Sequence, residues 1–211
     1  MTETQRDRER DLDRFLTFVD AVVAIAITLL VLPLADAAAE VGTGSVGDLL
    51  REHEDQLLGF FLSFVVIAQL WFAQQRIVSS LVVQDALVTR LMITWTLTIV
   101  FLPFPTALVA QEGHQATTKV LYVGTMALSS LLLALMAWAI GRDRTIRDSD
   151  RRPDPAPSVA TVVGFALALA LTLVFPDLGY YPLFLLLLTG PVTHALRRAR
   201  GGDRGPTHMG E

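Results

Sequence analysis

Six long apolar runs, separated by short charged blocks, constrain this chain more than any other feature. They lie at about residues 15–35, 57–78, 86–110, 120–140, 159–175 and 180–196, the last two being the shortest. A helix needs roughly 20 consecutive apolar residues to cross the hydrocarbon core of a bilayer. A buried helix of a soluble protein is rarely apolar on every face for five turns, and six such helices in succession are harder still to reconcile with a soluble fold. The 52% hydrophobic content would not settle the matter, because soluble globules approach it. The placement of charge settles it. The expected fold is an all-α polytopic membrane protein with six transmembrane helices in a single domain over 1–200, followed by a disordered cytoplasmic tail at 201–211.

Orientation follows from the basic residues. With the loops assigned alternately to two sides, 15 of the 17 Lys and Arg residues fall together, from Arg6–Arg14, through Arg76, Arg90 and the 141–157 loop, to Arg197–Arg204. Only Arg51 and Lys119 fall on the other side. This is a strong positive-inside signal; it places both termini in the cytoplasm and favours an even number of spans. The protein is expected in the cell (plasma) membrane. The charged N-terminus and the long run after it read as a signal-anchor helix, not a cleaved leader. With no cysteine in the chain, disulfides, thiolate catalysis and cysteine-held metals are excluded.

The connections look plain. The outside loop 36–56, with Gly42, Gly44 and Gly47, is expected to be flexible. The Arg/Asp-rich 141–157 loop ends in Pro153, Pro155 and Pro157 and is expected to be extended and poorly ordered. Pro33 and Pro176 sit near span ends, where helices commonly stop. Pro103 and Pro105 should kink span three or end its regular part.

Ionisable residues within a span are costly and mark functional or structural sites. Asp20 is the notable one, with Arg14 at the cytoplasmic mouth of the same helix. Six residues separate them, roughly 120° of helical turn apart from facing each other as an i,i+4 pair would, so Asp20 needs a partner on another helix. Gln69, Trp71, Gln74 and Gln75 of span two are candidates. A polar clamp that fixes helix packing is the plain reading; direct ion contact by Asp20 is the sharper one. On span one, Ile25, Leu29 and Leu32 fall within an arc of about 60°, with Thr28 beside them. Alone, such a stripe reads as packing or lipid contact.

The segment Arg14-Phe15-Leu16-Thr17-Phe18-Val19-Asp20 and the residues after it resemble the R-x-x-x-F-S-D helix of the transmembrane protein 175 family, the endosomal and lysosomal potassium channels and their bacterial homologues. The stretch Ser63-Phe64-Val65-Val66-Ile67-Ala68-Gln69-Leu70-Trp71 is similar to the family's second helix. The resemblance implies a homotetramer of six-helix chains with helix one lining the pore. It implies a potassium-selective, or weakly selective, cation channel without a carbonyl-lined filter; this chain has no TVGYG-like loop. Carried over, the constricting isoleucine falls on Ile25, further apolar pore positions on Leu29 and Leu32, and the polar layer on Thr28. Arg14, Phe18, Asp20, Trp71 and Gln74 would form the network that sets helix one. Val19 stands where the family has serine, and Gln74 and Gln75 where a histidine follows the tryptophan.

Expected partners are further copies of the chain, membrane lipids and permeant potassium, with no cofactor, no bound metal and no nucleic acid. The alternative is a proton- or cation-coupled secondary transporter using Asp20. An enzyme is not expected: His53, His114 and His208 fall in loops or tail and His194 near a span end, without H-E-x-x-H or a nucleophile–base pair.

Overall fold

The computed structural model describes residues 3–40, 45–83, 85–112, 115–143, 145–146, 153 and 156–174. Among these the structure is helical throughout, with no strand. Four stretches are long and apolar enough to cross a membrane: Arg10–Ala39, Glu54–Val78, Ala86–Val109 and Thr117–Arg142. They coincide with the first four expected spans. The fifth expected span overlaps a further helix, Ala156–Val174. The sixth, at 180–196, lies outside the described residues, as do Pro176 and the tail.

The four stretches comprise more than four helices because prolines divide two of them. In chain order the helices are α1 Glu3–Leu29, α2 Leu32–Glu40, α3 Val46–Glu52, α4 Glu54–Val78, α5 Ala86–Phe101, α6 Pro103–Glu112, α7 Ala116–Arg142 and α8 Ala156–Val174. Proline lacks an N–H and its ring presses on the carbonyl four residues back. Pro33 acts on Leu29, which is where α1 ends. Pro103 and Pro105 act on Ile99 and Phe101, and α5 ends at Phe101. The place of Pro33 near a span end suggested that the helix would stop there; α1 does end at Leu29, but the chain is helical again from Leu32 as α2. Pro103 stands at the first position of α6, where its missing N–H costs nothing.

Two loops depart from expectation. Within 36–56, the described residues are largely helical, as the end of α2, all of α3 and the start of α4, while residues 41–44, with Gly42 and Gly44, lie outside the described residues. Ala37, Ala38 and Ala39 are strong helix formers and carry α2 to Glu40. The 141–157 stretch opens with a fixed turn. Asp143 Oδ1 accepts from the Thr145 N–H at 2.8 Å and the Thr145 hydroxyl at 2.7 Å. Ile146 is then buried, and its carbonyl accepts the Val82 N–H at 2.8 Å, tying this loop to the α4–α5 turn.

Helix ends are well provided. Asp85 caps α5 by accepting from the N–H groups of Leu87 and Val88 at 2.8 and 3.1 Å. Glu54 and Asp55 open α4 and Arg76 closes it, matching the helix dipole. The core is built on α7, whose Tyr122, Val123, Met126, Leu133, Met136 and Ile140 are buried against Val88, Met92, Trp95 and Ile99 of α5 and Val66, Ile67 and Leu70 of α4. Hydroxyls knit these helices where apolar packing would give no orientation. Ser63 Oγ bonds Thr106 Oγ1 at 2.8 Å and Tyr122 OH at 2.7 Å. Thr98 and Ser129 share a further bond. Span one stands at the edge of this core and is the least buried of the four.

Candidate functional site

Helix α1 has two faces. Val19, Val23, Ala26 and Leu30, spaced at four, three and four residues, are buried against the rest of the chain. On the other side, Arg14, Phe18, Ala21, Ile25, Thr28, Leu29 and Leu32 are all exposed. At about 100° per residue, Arg14, Phe18, Ile25 and Leu32 fall within roughly 40° of one line. Phe18 is 62% exposed, Ile25 59% and Leu32 52%, high values for large apolar side chains. From Arg14 to Leu32 the line runs about 27 Å at 1.5 Å per residue, nearly the depth of the hydrocarbon core.

What fixes the rotation of α1 is the clamp on Asp20. Trp71 Nε1 donates to Asp20 Oδ1 at 2.8 Å, and Gln75 Nε2 donates to the same oxygen at 2.7 Å. Trp71 and Gln75 are four residues apart on α4, so they present one face to α1. Asp20 sits about 140° around the helix from Ile25. Anchoring it to α4 therefore turns the Ile25 line away from the rest of the chain.

The expected site residues divide accordingly. Asp20 and Trp71 meet. Gln74 does not join them: it is buried toward α5, where its Nε2 lies 3.9 Å from Met92 Sδ and its Oε1 has no partner among the described residues. Gln75 takes the place expected of Gln74, for a simple reason of helical phase. Phe18 lies on the exposed line and not at the clamp. Arg14 is exposed on that same line. Val19, where serine was expected, is 1% exposed in the apolar core, where a valine packs without needing a partner. Thr28 Oγ1 donates to the Ile25 carbonyl at 2.7 Å. Its proton is thereby spent within the helix, and its oxygen is left to accept.

Sequence reasoning missed Asp36. It is exposed one turn beyond Leu32 on α2. The signal was the i,i+4 spacing, hidden by assigning residue 36 to a loop. Among the described residues no group of three or more His, Cys, Asp or Glu is placed to hold a metal ion.

The profile of the endosomal/lysosomal potassium channel TMEM175 matches residues 14–103, which carry both the clamp and the exposed line. A protein of Streptomyces collinus described as a potassium channel is 28% identical over 156 residues, 73% of this chain and 75% of that protein. The crystal structure of a lysosomal potassium-selective channel TMEM175 homolog from Chamaesiphon minutus superposes with a TM-score of 0.68 at 24% identity, over 89% of this chain and 98% of that one, a likeness of fold. Residues 14–103 thus resemble the TMEM175 family in sequence, and the architecture resembles that of a TMEM175 homolog in fold.

Proposed function

We propose that the chain is one subunit of a potassium-selective cation channel. Four copies surround an axis, the exposed line of α1 faces that axis, and both termini lie in the cytoplasm of a cell whose plasma membrane holds the channel. One observation carries the reading: α1 presents a membrane-deep line of large apolar side chains away from its own subunit, and a polar clamp on its opposite side holds it there.

In this arrangement Ile25, Leu29 and Leu32 form successive apolar rings. A narrow apolar ring expels water, and an ion cannot pass a dry constriction. A small tilt of α1 widens the rings and lets a partly hydrated cation through. Thr28 offers hydroxyl oxygens beside the constriction, and since each proton is held by the Ile25 carbonyl, those oxygens face a cation as acceptors. Asp20, with one oxygen taken by two donors, serves as the post on which α1 pivots. The similarity to proteins described as potassium channels supports potassium as the permeant ion.

The test is flux from proteoliposomes loaded with potassium or sodium. Channel behaviour is non-saturating potassium flux with no need for a proton gradient, which separates it from a coupled transporter. Ile25→Asn should wet the constriction and raise leak at least several-fold while weakening selectivity. Unchanged flux in that variant would remove Ile25 from the permeation path.

A further inference from the structure

Helix α1 starts well ahead of its apolar run. Residues 3–13 precede Arg14, about 16 Å of helix at 1.5 Å per residue. Leu12 lies in this charged part, yet it is only 6% exposed and belongs to the core cluster. With Val19, Val23, Ala26 and Leu30 it forms one buried series, spaced at seven, four, three and four residues. That spacing keeps to a single side of a continuous helix. The charged turn at Leu12 is therefore held at the same rotation as the apolar run, and its other side chains have defined directions. Asp7, Arg10, Asp11 and Arg14 are all exposed, on the side away from Leu12.

The directions of Arg10 and Asp11 are complementary. At about 100° per residue, Arg10 lies roughly 60° to one side of the Ile25 line and Asp11 roughly 40° to the other. Asp7 and Arg14 lie close to the line itself. In a ring of four parallel helices with that line facing the axis, each neighbour stands about 45° to either side of the axis direction. Arg10 then points to one neighbour and Asp11 to the other. Such a ring joins two different flanks of the same chain, so it closes well only if those flanks complement each other. Consecutive residues of opposite charge supply this at one level, since they differ by only about 1.5 Å in height.

We infer that Arg10 of each chain pairs with Asp11 of the next, forming a closed collar of ion pairs at the cytoplasmic end of α1. The partner is a second copy of this chain. The inference rests on the four-copy channel reading above and adds to it a polar interface, outside the apolar rings, that fixes the register and handedness of assembly. Charges flanking an apolar seam select partner and orientation in coiled coils by the same means.

A rival use of these charges is within the helix. Asp7 with Arg10, Arg10 with Asp13, and Asp11 with Arg14 are each three residues apart, close enough to pair on one chain. Exchanging the two charges separates the possibilities. A chain carrying both Arg10→Asp and Asp11→Arg preserves every pair between chains and turns all three pairs within a chain into like charges.

The measurement is the subunit concentration at half-assembly, taken by size-exclusion chromatography in mild detergent at low ionic strength. Arg10→Asp alone sets acid against acid around the ring and should raise that concentration by at least about tenfold, the effect falling in high salt. The exchange variant should return it to within about threefold of the unmodified protein. Should Arg10→Asp fail to assemble at all, recovery in the exchange variant decides alone. No effect of Arg10→Asp, or an exchange variant no better than Arg10→Asp, overturns the collar. An unmodified protein that stays monomeric in the membrane overturns the four-copy channel reading instead, so the two failures are told apart.

Discussion

Asp20 accepts two hydrogen bonds on one oxygen, so its removal strands two donors at once. A polar group left unsatisfied costs about 1–3 kcal/mol where it is buried, and both bonds of the clamp are part-buried. Asp20→Ala should therefore lower stability in detergent by at least about 2 kcal/mol, read as a fall in thermal midpoint, whereas Asp20→Asn keeps an acceptor and should cost less. Trp71→Phe added to Asp20→Ala should cost little more than Asp20→Ala alone; full additivity would mean that the two side chains do not share an interaction. The glutamines give a sharper contrast. Gln74→Leu removes a buried amide that satisfies only a weak contact to sulfur, and is expected to be neutral or stabilising. Gln75→Leu breaks the clamp and should cost about 1–2 kcal/mol. Equal effects of the two would return Gln74 to the network. Much of this was legible. The sequence required Asp20 to find a partner on another helix and supplied Trp71 and Gln75 among four candidates. The choice between Gln74 and Gln75 needed the phase of α4 against α1, which spacing alone does not give.

At the scale of elements, the proline breaks were legible and the loops were not. Pro103 and Pro33 act through a local steric rule, so their sites could be read directly, though not that α2 would resume after Pro33. The opening of the α7–α8 connection could not be read because composition is blind to pairwise bonds: Asp143 holding Thr145, and Ile146 accepting from Val82, are specific contacts at the start of a segment most of which lies outside the described residues. That turn has a testable pH dependence. The Thr145 backbone N–H, then its hydroxyl, hold the Asp143 carboxyl below the ordinary aspartate value of 3.8. The folded turn thus favours the anion. Its contribution is complete above about pH 4 and is lost as pH falls through the lowered folded value. Hydrogen exchange over residues 79–83, corrected for intrinsic rates, should be faster in Asp143→Ala at neutral pH, and the unmodified protein should approach the variant only in acid below that range. Equal protection at neutral pH would show that the turn holds without Asp143.

For the whole molecule, burial rises from span one, the least enclosed, to the fourth, the most enclosed. The centre of the described fold is therefore α7, and α1 lies at its margin. A marginal helix with a clamped rotation and a bare apolar line faces either lipid or further copies of itself. The outward side of α7 offers the comparison. Leu128, Leu131, Leu135 and Trp138 are also exposed there, and the Arg142 guanidinium lies 5.3 Å from the Trp138 ring centre. An exposed aromatic with a basic residue at a helix end is a membrane-interface anchor, so that side is expected to meet lipid. The chain contains no cysteine, which makes single-cysteine variants unambiguous. A disulfide forms only when two Cα atoms approach within about 7 Å. If α1 surrounds an axis, Ile25→Cys and Leu32→Cys should each give covalent dimers on mild oxidation in the membrane. Val23→Cys, buried within the subunit, should not, and Trp138→Cys, exposed but lipid-facing, should not either. Cross-linking at residue 138 with none at 25 or 32 would exchange the roles of the two surfaces and move the axis from α1 to α7.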